Sequence, residues 1–296
     1  MNLYGIILNA VKEAIITALT RVPRDVYEAL LSAIDRERNE RAKRILSTII
    51  ESIRIAIKEQ VPLCQDTGVP VFYVEVGMDF PLKIEIRDIL IKAVREITYE
   101  GLMRPNAVHP FTNKNSGDNT GILFPLINID LVPGNHIAIT FLAKGGGSEY
   151  VSKLFMAPPS QGREYIKKYV LESVLEAGPK PCPPVILSIG IGGTADMAMN
   201  ISRKNMIKRR IGLRHKEEDI AKIEDELLKD VNKLGIGPAG LGGDITALDV
   251  WIDYGYRHPA TFAIALTFSC WCLRRAHIEI DRDGNIEYDP NDFWSL

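Results

Sequence analysis

The order of apolar and polar positions predicts a helical beginning followed by mixed helices and strands. From residue 3 to about residue 60, apolar residues recur at three- and four-residue spacings, as in amphipathic helices. Pro23 separates the first helix from the second, and the third ends before Pro62. The pattern therefore predicts three helices, with apolar stripes at 6–15, 26–34 and 42–57.

Shorter elements follow residue 60. β-branched and apolar runs predict strands, whereas amphipathic stretches that end at glycine predict helices. The predicted strands are 71–76, 136–142, 185–189 and 245–252, and the predicted helices are 84–98, 161–177, one opening after Gly190–Thr194, and a charged surface helix at 216–234. An apolar run at 261–268 precedes a hairpin formed by 278–280 and 286–288. We expect an α+β fold in a single domain, 1–296, with a helical N-terminal part, 1–60.

Three loops are unusual in composition. The stretch 103–121 is polar, broken by glycine, and long enough to suggest a functional loop. Lys144 is followed by three glycines, which favour either a backbone anion-binding nest or a flexible hinge. The glycine-rich stretch 235–243 lacks the spacing of a dinucleotide fingerprint, so we do not expect nucleotide binding there.

Composition and charge narrow the class of protein. The chain has 296 residues, of which 46% are hydrophobic and 25% charged, and this suits a globular protein with a large core. Its formal net charge of −2 gives no overall attraction to nucleic acid or to an anionic membrane. Because we find neither a membrane-spanning run nor a secretory signal, we expect a cytoplasmic protein with no nucleic-acid or membrane partner.

Three of the four cysteines stand at the ends of predicted elements, which is typical of metal ligands. Cys64 lies between two prolines in the polar segment 62–70, Cys182 is flanked by prolines, and Cys270 ends the apolar run. A zinc site would need a fourth ligand, and the Cys270-x-Cys272 pair would point to opposite sides of a strand. Three separated thiolates suit an iron–sulfur cluster in which one iron lacks a protein ligand.

The blocks around these cysteines resemble a known enzyme family. The sequence is similar to the α part of class I fumarate hydratases and of the related L-tartrate dehydratases. Members carry a [4Fe-4S] cluster on three cysteines, which would be Cys64, Cys182 and Cys270. Cys272 departs from the commoner pattern, so we interpret it as a packing residue, with exchange for Cys270 as the alternative. The blocks that carry the resemblance, in chain order, are Cys64–Gly68, Lys144–Ser148, Pro181–Pro184, Gly190–Thr194, Arg257–Ala260 and Ser269–Trp271.

The resemblance also implies a substrate site. Asp66 is our candidate for the base that removes the carbon-bound proton, and His258 is the second catalytic candidate. Each residue retains a structural alternative: Asp66 as a turn cap, Gln65 as a loop-orienting amide, Arg104 as a surface ion-pairing residue and His258 as a structural histidine. Lys144, Thr67 and Ser148 are candidates only for support. The substrate-binding residues implied by the family are Gln65, Arg104, Gly146 and Gly147.

The main expectation is the α subunit of a two-subunit [4Fe-4S] hydro-lyase that hydrates fumarate to malate. The alternative is the α subunit of an L(+)-tartrate dehydratase, and a more remote one is a redox-sensing iron–sulfur protein. Single-chain family members carry a further domain that this sequence lacks, so the resemblance implies a separate β subunit and an α2β2 assembly. A small dicarboxylate is the expected substrate, and the catalytic acid is expected on the β chain.

Overall fold

The computed structural model describes residues 3–81 and 85–296, which form helices and mixed sheets as expected for an α+β protein. The helices are α1 (Leu3–Thr20), α2 (Arg24–Arg36), α3 (Glu40–Glu59), α4 (Ile86–Tyr99), α5 (Gly146–Tyr150), α6 (Gly162–Ala177), α7 (Ala195–Lys208) and α8 (Glu218–Lys233). The strands are β1 (Val69–Gly77), β2 (Leu126–Val132), β3 (His136–Lys144), β4 (Lys153–Met156), β5 (Val185–Gly192), β6 (Ala247–Tyr254), β7 (Ala263–Ser269), β8 (Arg275–Asp281) and β9 (Ile286–Tyr288).

The three predicted N-terminal helices are confirmed. Pro23 falls in the break between α1 and α2, and the Asn39 side-chain oxygen caps α3 by accepting the N–H groups of Arg41 and Ala42. By length and composition the segment 3–36 would also suit a membrane span, but 56% of its apolar window is buried in the fold. Burial of this kind is what a core helix shows.

The chain forms two compact units, each built from separate stretches of sequence. Unit 1 contains the described residues up to Arg24 together with Glu51–Gly145 and Cys272–Leu296. Unit 2 contains Asp25–Ile50 and Gly146–Trp271. The N-terminal helical part is therefore divided between the two units.

Unit 1 is a five-stranded sheet in the order β2-β1-β3-β8-β9, with one face packed against α1 and α4. β1 runs parallel to β2 and antiparallel to β3. Alternate residues of β1, such as Phe72 and Val74, enter the core with Phe141 and Ile278. This register brings the start of β1, the end of β3 and the start of β8 to the same end of the sheet.

Unit 2 is a four-stranded sheet in the order β4-β7-β5-β6 with helices on both faces. Apolar residues of β5, β6 and β7 pack against α6 and α8 on one face. On the other face, a Cβ at Gly190 would lie 2.1 Å from the carbonyl oxygen of Ala198, so only glycine lets α7 approach β5 this closely. Small residues there, including Ala263 and Ala265, complete a tight seam.

Several boundaries differ from the sequence predictions. The predicted helix 84–98 corresponds to α4, and its first residue, Ile84, lies outside the described residues. The apolar run 261–268 is strand β7, and the C-terminal hairpin is confirmed as β8 and β9. Strands β2 and β4 were not predicted, since β2 has exposed apolar residues and β4 is only four residues long.

Candidate active site

The segment that carries Cys64 lies at one end of the five-stranded sheet. It leads into β1 at Val69, which pairs with Lys144 at the end of β3. The backbone N–H of Leu63 donates to the carbonyl of Leu19 in the last turn of α1 (2.9 Å). Gly68 has φ +82°, and a Cβ there would lie 2.9 Å from the carbonyl carbon of Ala143. This glycine is therefore required by both its backbone conformation and its close packing.

Asp66 is half-buried within this segment, and its neighbours fix its position. Its Oδ1 accepts the N–H of Gly68 (2.9 Å), which is the turn-capping contact left open by the sequence. Its carbonyl accepts a short hydrogen bond from Nη1 of the buried Arg274. An ionised carboxylate has two oxygens and about four lone-pair sites, so turn capping and proton transfer are compatible roles for Asp66.

Thr67 joins this segment to the loop that carries Arg104. Its side chain is only 2% exposed, and its Oγ1 accepts the backbone N–H of Arg104 (3.0 Å) and Nδ2 of Asn106 (3.3 Å). Asn106 Nδ2 also donates to the carbonyl of Gly68 (3.2 Å). The backbone N–H of Asn106 donates to Oδ1 of the fully buried Asn119 (3.0 Å). The structure thus brings the Arg104 backbone to the segment of Gln65 and Asp66.

The loop 104–125 is also tied to α4 through Asp118. Asp118 accepts hydrogen bonds from Arg95 Nε (3.0 Å) and from the backbone N–H (3.0 Å) and hydroxyl (2.8 Å) of Thr120. Partial burial alone would raise the pKa of Asp118, but the hydrogen bonds from Thr120 and Arg95 outweigh it and lower this pKa to about 2. The carboxylate therefore stays ionised near neutral pH, and the anchor to α4 is retained.

Cys182 and Cys270 lie at one end of the four-stranded sheet of unit 2. Ser269, the last residue of β7, pairs with Ile186 at the start of β5, and Cys270 follows directly. Cys182 precedes β5 by three residues; it is exposed and has φ +54°, in the left-handed region that few non-glycine residues adopt. The register thus places two of the three predicted ligands at the same sheet end.

The glycine triplet does not form the predicted nest. A nest needs alternating right- and left-handed residues, and none of Gly145, Gly146 and Gly147 has a positive φ. Gly146 and Gly147 instead begin the short helix α5. A Cβ at Gly147 would lie 3.0 Å from the carbonyl oxygen of Lys180, so this glycine packs against the segment that leads to Cys182.

His258 lies at the opposite end of the same sheet. A Cβ at Gly193, just after β5, would lie 3.0 Å from the Cα of Arg257 and 3.4 Å from the backbone nitrogen of His258. The imidazole is exposed, and its Nδ1 accepts the N–H of Ala260 (3.1 Å), so in the neutral ring Nε2 carries the proton. A cleft of about 680 Å³ adjoins this loop, but its isoleucine-rich lining is unsuited to a dicarboxylate.

The predicted site residues are therefore distributed over three places. Cys64, Gln65, Asp66 and Arg104 belong to unit 1, whereas Cys182, Cys270 and His258 belong to unit 2, with His258 at the far sheet end. Within residues 3–81 and 85–296, no group of three His, Cys, Asp or Glu side chains has an arrangement that could hold a metal ion. All four cysteines are thiols; Cys272 is buried, whereas Cys64, Cys182 and Cys270 are accessible to solvent.

Two residues near Asp66 were not among the sequence predictions in the roles that they have here. Arg274 holds the Asp66 carbonyl, and Asn106 donates to the Thr67 hydroxyl. A partial signal for Asn106 is present in the sequence, where this residue follows Pro105 in a long polar loop. An asparagine after proline in such a loop frequently binds backbone groups.

Comparison with known proteins decides the family. The model of the family described as "Fumarate hydratase (Fumerase)" matches residues 8–279. This chain belongs to the fumarate hydratase (fumerase) family. Membership makes it a hydro-lyase family protein, as the resemblance had predicted.

Relatives within the fumarate hydratase family carry tartrate dehydratase names. The "Putative L(+)-tartrate dehydratase subunit alpha" of Methanocaldococcus jannaschii is 42% identical over 290 residues, covering 97% of this chain and 100% of that protein. The "L(+)-tartrate dehydratase subunit alpha" of Escherichia coli strain K12 is 37% identical over 269 residues, covering 90% of this chain and 88% of that protein. The names favour the tartrate alternative over our main expectation of a fumarate hydratase.

Proposed function

We propose that this chain is the α subunit of an L(+)-tartrate dehydratase, which removes water from tartrate to give oxaloacetate. The observation that carries this proposal is the 42% identity along the full length of a putative tartrate dehydratase α subunit. Fumarate hydration remains the second candidate because the family model bears that description. Tartrate differs from malate, the hydrated form of fumarate, by one hydroxyl group, so a few polar contacts decide between them.

We further propose that Cys64, Cys182 and Cys270 hold a [4Fe-4S] cluster. The donor chemistry fits, since each is an accessible thiol on a loop and Cys182 is held between two prolines. The burial of Cys272 supports its interpretation as a packing residue. When bound, such a cluster supplies a Lewis acid that makes the substrate hydroxyl a better leaving group.

The residues of unit 1 support roles in substrate binding and proton removal. Asp66 would accept the carbon-bound proton, and its hydrogen bond from Gly68 holds the carboxylate in one orientation. Arg104 would bind a substrate carboxylate through its exposed guanidinium, and Gln65, also exposed, would donate an amide hydrogen bond. Gly146 and Gly147 would contribute backbone contacts from α5 rather than from a nest.

The position of His258 supports an assembly with two α chains. Strand β5 separates His258 from Cys182 and Cys270 of the same chain. An imidazole at the other end of the sheet favours action on a substrate that is bound by a second copy of the chain. We therefore propose that His258 serves the site of the neighbouring α chain in an α2β2 enzyme.

A β subunit is proposed because the relatives are named α subunits. The loop 104–125 supports this, because the turns closed by its two isolated β-bridges, Val108 with Asn115 and Gly121 with Phe124, present apolar side chains to solvent. Phe111 is 90% exposed, Ile122 96% and Leu123 82%. Large apolar side chains at loop tips are typical of residues that a partner buries.

We also propose that the enzyme is cytoplasmic.

Anaerobic co-purification of the chain with its β partner tests the proposed function. After reconstitution with iron and sulfide, the pair is assayed on L-tartrate, malate and fumarate. We expect turnover of L-tartrate, absorption typical of a [4Fe-4S] cluster, and little activity of the α chain alone. Turnover of malate and fumarate only would establish the fumarate hydratase alternative. A reconstituted cluster without turnover of any of these acids would favour a redox-sensing protein. Purified protein that contains zinc but no iron would contradict the proposed [4Fe-4S] cluster.

A further inference from the structure

Thr67, which is buried, and Asn106, which is half-buried, connect two segments that are distant in sequence. Thr67 Oγ1 accepts the Arg104 backbone N–H at 3.0 Å and Asn106 Nδ2 at 3.3 Å, and the same Nδ2 group reaches the Gly68 carbonyl at 3.2 Å. Asn119, which is fully buried, accepts the Asn106 backbone N–H. The Thr67 hydroxyl and the amides of Asn106 and Asn119 thus hold the start of the loop 104–125 against the segment of Asp66.

The connection acts on the backbone of Arg104 rather than on its side chain. The Arg104 side chain is exposed. The position of its guanidinium therefore depends on where the Arg104 backbone is held. That point is the hydrogen bond from its own N–H to Thr67, one residue after Asp66. A partly buried N–H that loses its acceptor inside the protein has to find another partner, so removal of the hydroxyl favours movement of the loop.

The segment of Asp66, to which the loop is attached, is held by contacts of its own. Gly68 is packed against the backbone of Ala143, and the Arg274 guanidinium holds the carbonyl of Asp66. The loop is also anchored further along, where Asp118 pairs with Arg95. A loop held at both places limits where the Arg104 backbone lies relative to Asp66, which helps the guanidinium to bind one end of a dicarboxylate while Asp66 removes the proton nearby.

We propose that Thr67 and Asn106 are positioning residues that set Arg104 against Asp66 for substrate binding. This inference rests on the proposed function and assigns roles to side chains outside the predicted substrate contacts. Misplacement of Arg104 weakens the hold on the substrate carboxylate while leaving Asp66 itself in place. Its effect therefore falls mainly on KM rather than on kcat.

The test compares Thr67→Val with Thr67→Ser in the reconstituted αβ enzyme. Valine has nearly the volume of threonine but no acceptor, whereas serine keeps the hydroxyl. We expect Thr67→Val to raise KM for L-tartrate about tenfold, equivalent to about 1.4 kcal/mol, with kcat within about threefold of wild type. Thr67→Ser should restore KM to within about twofold of wild type. Asn106→Ala should resemble Thr67→Val.

A matched control separates positioning from general destabilisation. Thr267 is fully buried in unit 2, and its hydroxyl hydrogen-bonds Oγ of Ser202 (2.8 Å). Thr267→Val removes a buried hydroxyl in the same way but should leave KM unchanged. An equal rise of KM in both valine variants would overturn the positioning role.

A double-variant cycle with Arg104→Gln asks whether Thr67 acts through Arg104. If it does, Thr67→Val should add little to the KM of the Arg104→Gln enzyme, because the guanidinium being positioned is already gone. Full additivity of the two effects would refute the proposal.

Hydrogen exchange supplies a readout that does not depend on activity. The Arg104 and Asn106 amides should exchange faster in Thr67→Val than in wild type or Thr67→Ser, whereas amides in the middle of β1 should be unchanged. An active wild-type enzyme with unaltered KM and exchange in Thr67→Val would overturn this inference alone. A wild-type enzyme inactive on every tested acid would overturn the proposed function and the substrate role of Arg104 together.

Discussion

Co-assembly of two inactive α variants provides the sharpest test of where His258 acts. One variant carries His258→Ala and the other Cys182→Ser, and each alone should be inactive in the presence of β. If His258 serves the site of the neighbouring chain, a mixed assembly has one complete site, made of the cysteines of the His258→Ala chain and the imidazole of the Cys182→Ser chain. Complementation between the two variants is the expected result.

The separation that motivates this experiment follows from the strand register. β5 runs from Val185 to Gly192, seven residue steps, or about 23 Å at the usual rise. His258 packs beside Gly193 at the far end of that strand, and Cys182 lies three residues before its start. Those three residues can return at most about 10 Å, which leaves at least about 13 Å between the two backbones along the strand direction. An imidazole side chain alone is shorter than that gap, which is why we place His258 in the site of the neighbouring chain.

The assay uses two affinity tags, one on each α variant, and sequential purification to isolate mixed assemblies. Each mixed α2β2 enzyme should have one of its two sites intact, so its rate on L-tartrate should be about half that of wild type. The control replaces the His258→Ala chain by the double variant His258→Ala, Cys182→Ser, which should give no activity with Cys182→Ser. Inactive mixed assemblies with intact α–α association would refute the reasoning, since they would show that His258 is needed within its own chain.

Three further predictions concern the cluster, the stability of unit 2 and the β interface. Replacing Cys64, Cys182 or Cys270 by serine should abolish the visible absorption of the reconstituted cluster, whereas Cys272→Ser should keep it; loss in the Cys272 variant alone would reverse our choice of ligands. Glu224 is fully buried and accepts hydrogen bonds from Arg209 (2.9 and 3.1 Å) and from two backbone N–H groups, so Glu224→Gln should lower the free energy of unfolding by about 3 kcal/mol. An unchanged urea midpoint would contradict that estimate. Ile122→Glu should weaken association with β in sedimentation or titration experiments, whereas Ile55→Glu, on the exposed face of α3, should not; equal weakening would argue against a role for the turn between Gly121 and Phe124.

Local sequence patterns predicted much of the secondary structure. The three N-terminal helices and the C-terminal hairpin were predictable because amphipathic periodicity, proline breaks and the Asp283-Gly284 turn act over a few residues. Strand β2 was missed because edge strands bury little, and its apolar Ile129 and Leu131 are exposed. Of the nest and the hinge that the glycine triplet left open, the nest was wrong, since glycine permits left-handed conformations without requiring them and the chain begins a helix there.

The sequence by itself determined the family and the residue types available for chemistry, because motifs with thiols, carboxylate and guanidinium groups are visible in the order of residues. Only the tertiary structure decided which of those groups share a place. Thr67 reaches Asn106 across 39 residues, and strand β5 holds His258 away from Cys182, because sheet register and loop packing set these distances. Such contacts arise from the pairing of segments far apart in the chain, and no local pattern encodes them.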